Sequence, residues 1–427
     1  MFKRIINTFG TKIVAAIINF LIAIIISQTL GDTGKGTQSL LLATISFILI
    51  FSEIVCGESM VFLTPHYRFK QLFFPSVLWA AFVSLMMGFA IRWFYHGLDG
   101  ALTMHVAILS FINSMSGINS RILVGKEEIK KANYSTLLQP VVSIVVLLIY
   151  YVMLRKNDIR GYLLALYLSY SFSFLLGMCM LRREYADMFR SPDIPFFSAS
   201  VLRALFKYGF LNQTGHFVQF FNLRLSYYVL NAYMNEGRVG VFSNAVSLAE
   251  SVWIISSSIA LVQYARIANT DDKAYARLLT LRLCKICLLV SLLAVAVMVL
   301  LPPSVYLFVF GRDFGEMAGV IRILAPGILM YCVFLILGHY YSGIGRYQMN
   351  TFASLCGLVA TFVLGFTLIP RFDISGAALT SVVSYGVTAA FLLFFFIRES
   401  GFGWKDFLLT PKELADYWSE LKKQLTH

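Results

Sequence analysis

The sequence predicts an all-α polytopic membrane protein, with about 12 transmembrane helices in two pseudo-symmetric six-helix bundles around a central cavity. Three observations carry that expectation. Of 427 residues, 58% are hydrophobic and only 13% are charged, about half the charged share of a water-soluble domain. Such a chain cannot clothe a globule in polar surface, which excludes a cytosolic enzyme, a disordered protein and a small disulfide scaffold. Apolar runs of about 20 residues, enough for a helix to cross a bilayer, recur along the whole length. They are continuous rather than alternating, which excludes a β-barrel. Finally, Gly36-Thr37-Gln38-Ser39 in the first half lines up with Gly240-Val241-Phe242-Ser243 in the second, a shift of 204 residues.

Spans are expected at approximately 11–30, 38–62, 72–95, 101–124, 133–154, 161–181, 206–230, 239–265, 278–301, 321–343, 349–369 and 375–397. Lys3 and Arg4 precede the first run as in a signal peptide. Ile13 to Leu30 is too long for a signal core and no small-residue cleavage site follows, so the run reads as an uncleaved first helix. Gly31-Asp32-Thr33-Gly34 breaks the first span from the second, Pro302-Pro303 closes the ninth, Gly343-Ile344-Gly345 the tenth and Pro370-Arg371 the eleventh. Leu123-Val124-Gly125-Lys126 followed by Asn133 resembles Gly343-Ile344-Gly345-Arg346 followed by Asn350, again placing each span onto the one six later. The expected divisions are an N-terminal lobe at 1–181, a cytoplasmic linker at 182–205, a C-terminal lobe at 206–400 and a cytoplasmic tail at 401–427. In the tail, Trp404, Phe407, Leu414, Tyr417, Trp418, Leu421 and Leu425 alternate with Lys405, Lys412, Lys422 and Lys423. That pattern is an amphipathic helix lying on the membrane surface.

Counting Lys and Arg orients the chain. With the amino terminus inside, cytoplasmic segments hold 25 of the 35 basic residues and external ones hold 9, with Arg224 inside the seventh span. Both termini are then cytoplasmic, and most of the +13 net charge is topology that needs no nucleic-acid partner. All six cysteines fall in expected spans, where Cys284 and Cys287 read as small apolar fillers despite their C-x-x-C spacing. No tight His or carboxylate cluster and no phosphate-binding Gly-rich loop is present, so no metal or cofactor is expected.

Polar groups within spans are costly and mark faces turned away from lipid. In the seventh span Tyr208, Asn212, Gly215, His216, Gln219, Asn222 and Ser226 share a face about 120° wide. Ser39, Ser46 and Glu53 align in the second span, and Ser243, Glu250 and Ser257 in the eighth. Ser110, Asn113, Ser114, Gly117 and Arg121 align in the fourth, and Lys12 and Asn19 in the first. Each stripe can be interhelical packing; together they point to a hydrated cavity between the lobes, with Arg121 and Lys12 as cationic candidates. For Glu53 and Glu250 two readings stay open, a structural ion pair and a proton- or cation-coupling site. Arg224 points some 120–160° from most of the seventh-span stripe, and three readings stay open: lining a cavity, pairing with a neighbouring helix, or snorkelling outward.

Three segments carry a resemblance. They are Leu30-Gly31-Asp32-Thr33-Gly34-Lys35-Gly36, then Gly237-Arg238-Val239-Gly240-Val241-Phe242-Ser243-Asn244-Ala245, and Ile323-Leu324-Ala325-Pro326-Gly327 continuing through Ser342-Gly343-Ile344-Gly345-Arg346 to Ile369-Pro370-Arg371-Phe372-Asp373-Ile374-Ser375-Gly376-Ala377-Ala378. In this order they resemble the bacterial O-antigen and exopolysaccharide flippases of the multidrug/oligosaccharidyl-lipid/polysaccharide exporter superfamily. The resemblance implies a V of two bundles in the bacterial cytoplasmic membrane, moving oligosaccharide repeat units on a polyprenyl diphosphate from the inner to the outer leaflet. It implies Lys12 and Arg121 as phosphate partners, and Asn19, Asn113, Asn212, His216, Gln219, Asn222 and Arg224 as further substrate contacts. The expected protein is a monomer among membrane lipids, with a polysaccharide polymerase and a chain-length regulator as pathway partners. Relatives often carry an acid two residues after the seventh-span arginine, where this chain has Ser226. Two other functions compete: a multidrug/cation antiporter, which favours an acidic, aromatic cavity, and a membrane-embedded glycosyl- or acyltransferase. The transferase needs a catalytic acid or His on a substantial loop, and the longest loops, about 182–205 and 302–320, hold no His and no compact carboxylate pair.

Overall fold

In lipid every backbone N–H and C=O must be satisfied within the chain, and long runs of Leu, Ile, Val and Phe without breakers do this as helix. The computed structural model describes residues 2–95, 99–190, 196 and 198–407, with the side chains of 2–9, 189, 190, 211, 212 and 404 left out. Thirteen α-helices and no strand occur among the described residues. They are α1 (Phe2–Cys56), α2 (Glu58–Leu63), α3 (Phe69–Phe94), α4 (Gly100–Gly125), α5 (Ile129–Leu147), α6 (Ile159–Met180), α7 (Arg182–Arg190), α8 (Ala199–Tyr233), α9 (Glu236–Ala268), α10 (Lys273–Leu300), α11 (Pro303–Phe310), α12 (Met317–Gly343) and α13 (Gln348–Ser400). Asp158, Asn235 and Asp272 cap α6, α9 and α10, each accepting from backbone N–H groups of the first turn at 2.9–3.0 Å.

Nine described helical segments are long and apolar enough to cross a membrane. Two of these are double crossings. α1 has 55 residues and α13 has 53, roughly 80 Å each if straight, against a hydrocarbon core of about 30 Å. α1 folds back at Gly31 (φ 69°) and α13 at Asp373 (φ 53°). Glycine adopts that left-handed φ freely, and the Asp373 carboxylate is held by Arg238 Nε at 2.8 Å. The more polar α8, 35 residues long, supplies the twelfth crossing. The protein is thus a multi-pass membrane protein of two pseudo-symmetric helical bundles, α1–α6 and α8–α13; Leu40 and Ala43 of α1 pack into the C-terminal apolar core, and Val201 and Leu205 of α8 into the N-terminal one.

The breaks expected at 31–37 and 370–374 shrink to single kinked residues, and α8 starts at Ala199 rather than near 206. The reason is common to both: hydropathy detects the apolar part of a helix, whereas the hydrogen-bonded helix continues through polar residues at the bundle ends. The short α7 docks on the N-terminal bundle, where Tyr185 donates to Asn119 Oδ1 at 2.8 Å and its ring meets Phe69 and Phe73 at 4.9 and 5.1 Å. Lys126 pairs with Glu184 beside it. The amphipathic helix expected from the tail lies outside the described residues beyond 407; before it, the Phe402 and Phe407 rings pack on Phe396 at 6.3 and 6.1 Å.

One end of the molecule, the terminal end, carries the amino terminus, 64–68, 126–128 and 344–347. The opposite end carries Gly31, Tyr95, 154–158, Asn235, α11 and Asp373.

Candidate functional site

Between the bundles lies a cavity of about 650 Å³. Both arms of α1 line it, with α5 and α6 on one side and α8 and α9 on the other. Its charge comes from three side chains. Lys35, only 4% exposed, donates from Nζ to Gln38 Oε1 at 2.5 Å, and Gln38 in turn donates to the Tyr162 hydroxyl at 3.3 Å. The side chain that accepts from Lys35 is therefore neutral. Arg224 grips Glu250 with both fork nitrogens, Nη1 to Oε1 at 2.6 Å and Nη2 to Oε2 at 3.0 Å, and stacks over the Tyr227 ring at 5.3 Å. Two cations face one carboxylate, and Lys35 and Arg224 lie within coulombic reach of one another. The described lining thus holds two basic side chains against one carboxylate, in a low-dielectric wall where charge acts strongly. Hydroxyls and amides of Asn19, Ser46, Gln139, Ser143, Ser243 and Ser247 complete a lining suited to an anion carrying hydrogen-bonding groups.

Contacts between the bundles close the cavity at the opposite end. Ser39 Oγ donates to Ser243 Oγ at 2.8 Å, Asn244 Nδ2 to Ser27 Oγ at 2.7 Å, Gln28 Nε2 to the Val309 carbonyl at 2.8 Å, and Thr37 to Glu236. Along the second arm of α1 and α8 the closure continues through an aromatic seam. Phe47 meets Phe220 at 5.6 Å and Phe221 at 5.4 Å, and Phe51 meets Phe217 at 5.7 Å. Gln213 reaches Glu53 at 3.4 Å near the terminal end. Where the first arm of α1 and α9 share the lining, Asn19, Ser247, Ser251 and Ile254 are exposed.

The structure places the expected site residues in four groups. Asn19, Arg224 and Glu250 line the central cavity. Lys12 is exposed on the first arm of α1, outside the lining. Arg121 sits near the terminal end between Glu53, at 3.7 Å, and Glu58, while Asn113 accepts from Gln139 at 3.3 Å inside the N-terminal bundle. Glu53 and Glu250 are thus each engaged with an arginine. His216 and Gln219 line a second cavity of about 360 Å³ within the C-terminal bundle, with His339 and Asn350. Asn222, buried, accepts from Thr361 at 2.9 Å and from Ser384, and donates to Thr388 at 3.5 Å. The Asn212 side chain lies outside the described residues.

The α8 stripe expected on the cavity between the lobes therefore turns, from His216 to Asn222, into the C-terminal bundle, and Arg224 on the other face reaches the central cavity. Periodicity groups residues on a face without saying which neighbour the face meets. Lys35 was missed because the apolar run ends at Leu30, which put it among external flanks. At 100° per residue it falls on the face of Ser39, Ser46 and Glu53, so one more turn of that stripe finds it. Cys284 and Cys287 are buried in α10, and the Cys287 thiol contacts Ser256 at 3.1 Å.

Twelve crossings in two pseudo-symmetric bundles around a polar cavity make up a fold that solved membrane transporters share. Among solved structures, the chain is similar to the lipid II flippase MurJ in an inward closed conformation, with a TM-score of 0.75 and 12% identity, covering 95% of this chain and 89% of that one. It is similar also to an inward-facing multidrug resistance MATE family transporter of the MOP superfamily, with a TM-score of 0.68, 15% identity, and 91% and 94% coverage. In sequence it is 22% identical over 407 residues to the capsular polysaccharide biosynthesis protein CapF of Staphylococcus aureus, covering 93% of this chain and all of that protein. No family model matches the chain.

Proposed function

We propose that the protein is a flippase that moves polyprenyl-diphosphate-linked oligosaccharide units from the inner to the outer leaflet of a bacterial cytoplasmic membrane, by alternating access, for cell-surface polysaccharide synthesis. The observation that carries this reading is the basic side of the central cavity, where Lys35 and Arg224 converge against Glu250, the one carboxylate among the described lining residues. A diphosphate needs cationic and hydrogen-bonding donors, and the low-dielectric helix walls around them strengthen their pull. The Ser, Asn and Gln groups beside them suit sugar hydroxyls. The similarity to a lipid II flippase and to a capsular polysaccharide biosynthesis protein supports the same reading. The Lys/Arg bias makes the terminal end cytoplasmic, so the cavity is shut toward the outer leaflet and faces inward. The multidrug/cation antiporter reading calls for an acidic cavity, and two cations against one carboxylate disfavour it.

Deleting the protein should make a lipid-linked glycan accumulate on the inner leaflet, identified by mass spectrometry of extracted lipids. Restoring it as Lys35→Ala should return normal protein levels but little surface polysaccharide. Full export by Lys35→Ala would remove the basic cavity from the mechanism, and no accumulating lipid-linked glycan in the deletion would refute the flippase reading.

A further inference from the structure

The seal at the opposite end of the cavity has a symmetry of its own. The shift of 204 residues that separates Ser39 from Ser243 also carries Gly36 onto Gly240 and Asp32 onto Glu236. A Cβ built on Gly36 would lie 1.7 Å from the carbonyl oxygen of Glu236, and one built on Gly240 would lie 2.0 Å from the carbonyl oxygen of Asp32. The Gly240 Cβ would also come within 3.0 Å of the Gly36 nitrogen. Each glycine therefore touches the backbone of the residue four before the other, and the two Ser hydroxyls one turn further along meet each other. This is the pattern of an isologous dimer interface, in which residue i meets j and j meets i, built inside one chain.

We propose that Gly36 and Gly240 form a two-fold symmetric gate that closes the cavity at its outer end and parts when the bundles rock. The inference rests on the alternating-access reading of the preceding section. Small residues let helices approach anywhere in a membrane protein, but this crossing lies between the bundles rather than within one, over the cavity end that holds the neighbouring Lys35. Its fastenings are separable. Among the described residues the bundles are joined here by hydrogen bonds such as Ser39–Ser243, Asn244–Ser27, Gln28–Val309 and Thr37–Glu236. The ion pairs of Arg238 at this end, to Glu316 and Asp373, stay within the C-terminal bundle. The obstacles to a side chain are backbone oxygens, which cannot rotate away. Closure thus depends on the missing Cβ at two positions, and symmetry requires both positions to matter alike.

The test uses the full chain in cells, carrying Ser46→Cys on the cavity wall and Cys179→Ser to remove the exposed native thiol; none of the six native cysteines lines the cavity. With the gate closed, a membrane-impermeant maleimide added outside should label Cys at position 46 slowly. Gly36→Ala and Gly240→Ala should each raise that labelling by about tenfold or more, a shift of the closed population, and should lower export to a similar degree. Unchanged labelling, or an effect at one glycine alone, overturns the proposal. If either alanine variant fails to accumulate, the pair Ser39→Cys/Ser243→Cys decides. Its disulfide, formed with a copper–phenanthroline oxidant, should stop the export that the same variant shows when kept reduced, whatever that reduced level is, and a reductant should return it to that level. Export at the normal rate through the cross-linked protein overturns the gate. Labelling reads the gate whatever the substrate is, so a gate that behaves as described in a cell whose deletion accumulates no lipid-linked glycan would sink the functional reading and leave the gate standing.

Discussion

At the scale of single residues, the basic side of the cavity is divided between Arg224, neutralised by Glu250, and Lys35, held by the neutral Gln38. The pair is about a quarter exposed on each side, 26% and 25%, so solvent screening discounts its worth well below that of a fully buried pair. Glu250→Ala leaves a half-buried guanidinium without its carboxylate, which should cost about 1–3 kcal/mol after that discount, read as a lower melting temperature in detergent. Replacing both partners, Arg224→Met with Glu250→Leu, should recover the stability and still fail to export. Recovery of both would reduce the pair to a structural tie. Arg224 and Glu250 were visible in the sequence because a charge in an apolar run announces itself. Lys35 was not, since it sits where the run has already ended, and only its phase with Ser39 and Ser46 betrays it. Arg121 shows the converse: a conspicuous charge inside a span, which the structure sets between Glu53 and Glu58.

At the scale of elements, α8 is the helix whose sequence says most and misleads most. Its polar residues share a face, as periodicity requires, but between His216 and Asn222 that face belongs to the C-terminal bundle. Asn222 is 4% exposed and ties α8 to both arms of α13 through Thr361 and Ser384. Asn222→Ala strips the acceptor from two buried hydroxyls and should destabilise the protein by about 1–3 kcal/mol, measured by thermal unfolding in detergent. An unchanged melting temperature with lost export would instead return Asn222 to the list of direct substrate contacts. The helix count and the two halves were legible because membrane helices must be long, apolar and hydrogen-bonded within themselves. Which face of α8 meets which neighbour was not, because one bilayer surrounds polar stripes of either kind.

At the scale of the whole molecule, the internal repeat that the sequence displays as similarity is, at the end opposite the termini, physical contact. Equivalence of two segments does not say that they touch, so the gate could not be read from the alignment of Gly36 with Gly240 alone. The two seams between the bundles also differ. The second arm of α1 and α8 stay together from Thr44 and Tyr228 through Phe47, Phe51, Phe217, Phe220 and Phe221 to Glu53 and Gln213. The first arm of α1 and α9 leave exposed lining residues between them. Bundles that rock must keep some contact in both states, and stacked aromatic rings tolerate a change of tilt because their attraction is spread over offset and edge-on geometries. On the alternating-access reading proposed above, the Phe seam is then the pivot and the glycine crossing the moving edge. A short bifunctional maleimide joining Phe51→Cys to Phe217→Cys, whose native rings lie 5.7 Å apart, should therefore leave most export intact, while the Ser39→Cys/Ser243→Cys disulfide abolishes it. Single-cysteine versions treated with the same reagents separate the cross-link from the substitution. Loss of export on joining the Phe seam would mean that this side parts as well, and would replace rocking about a fixed edge with separation of the bundles along their whole length.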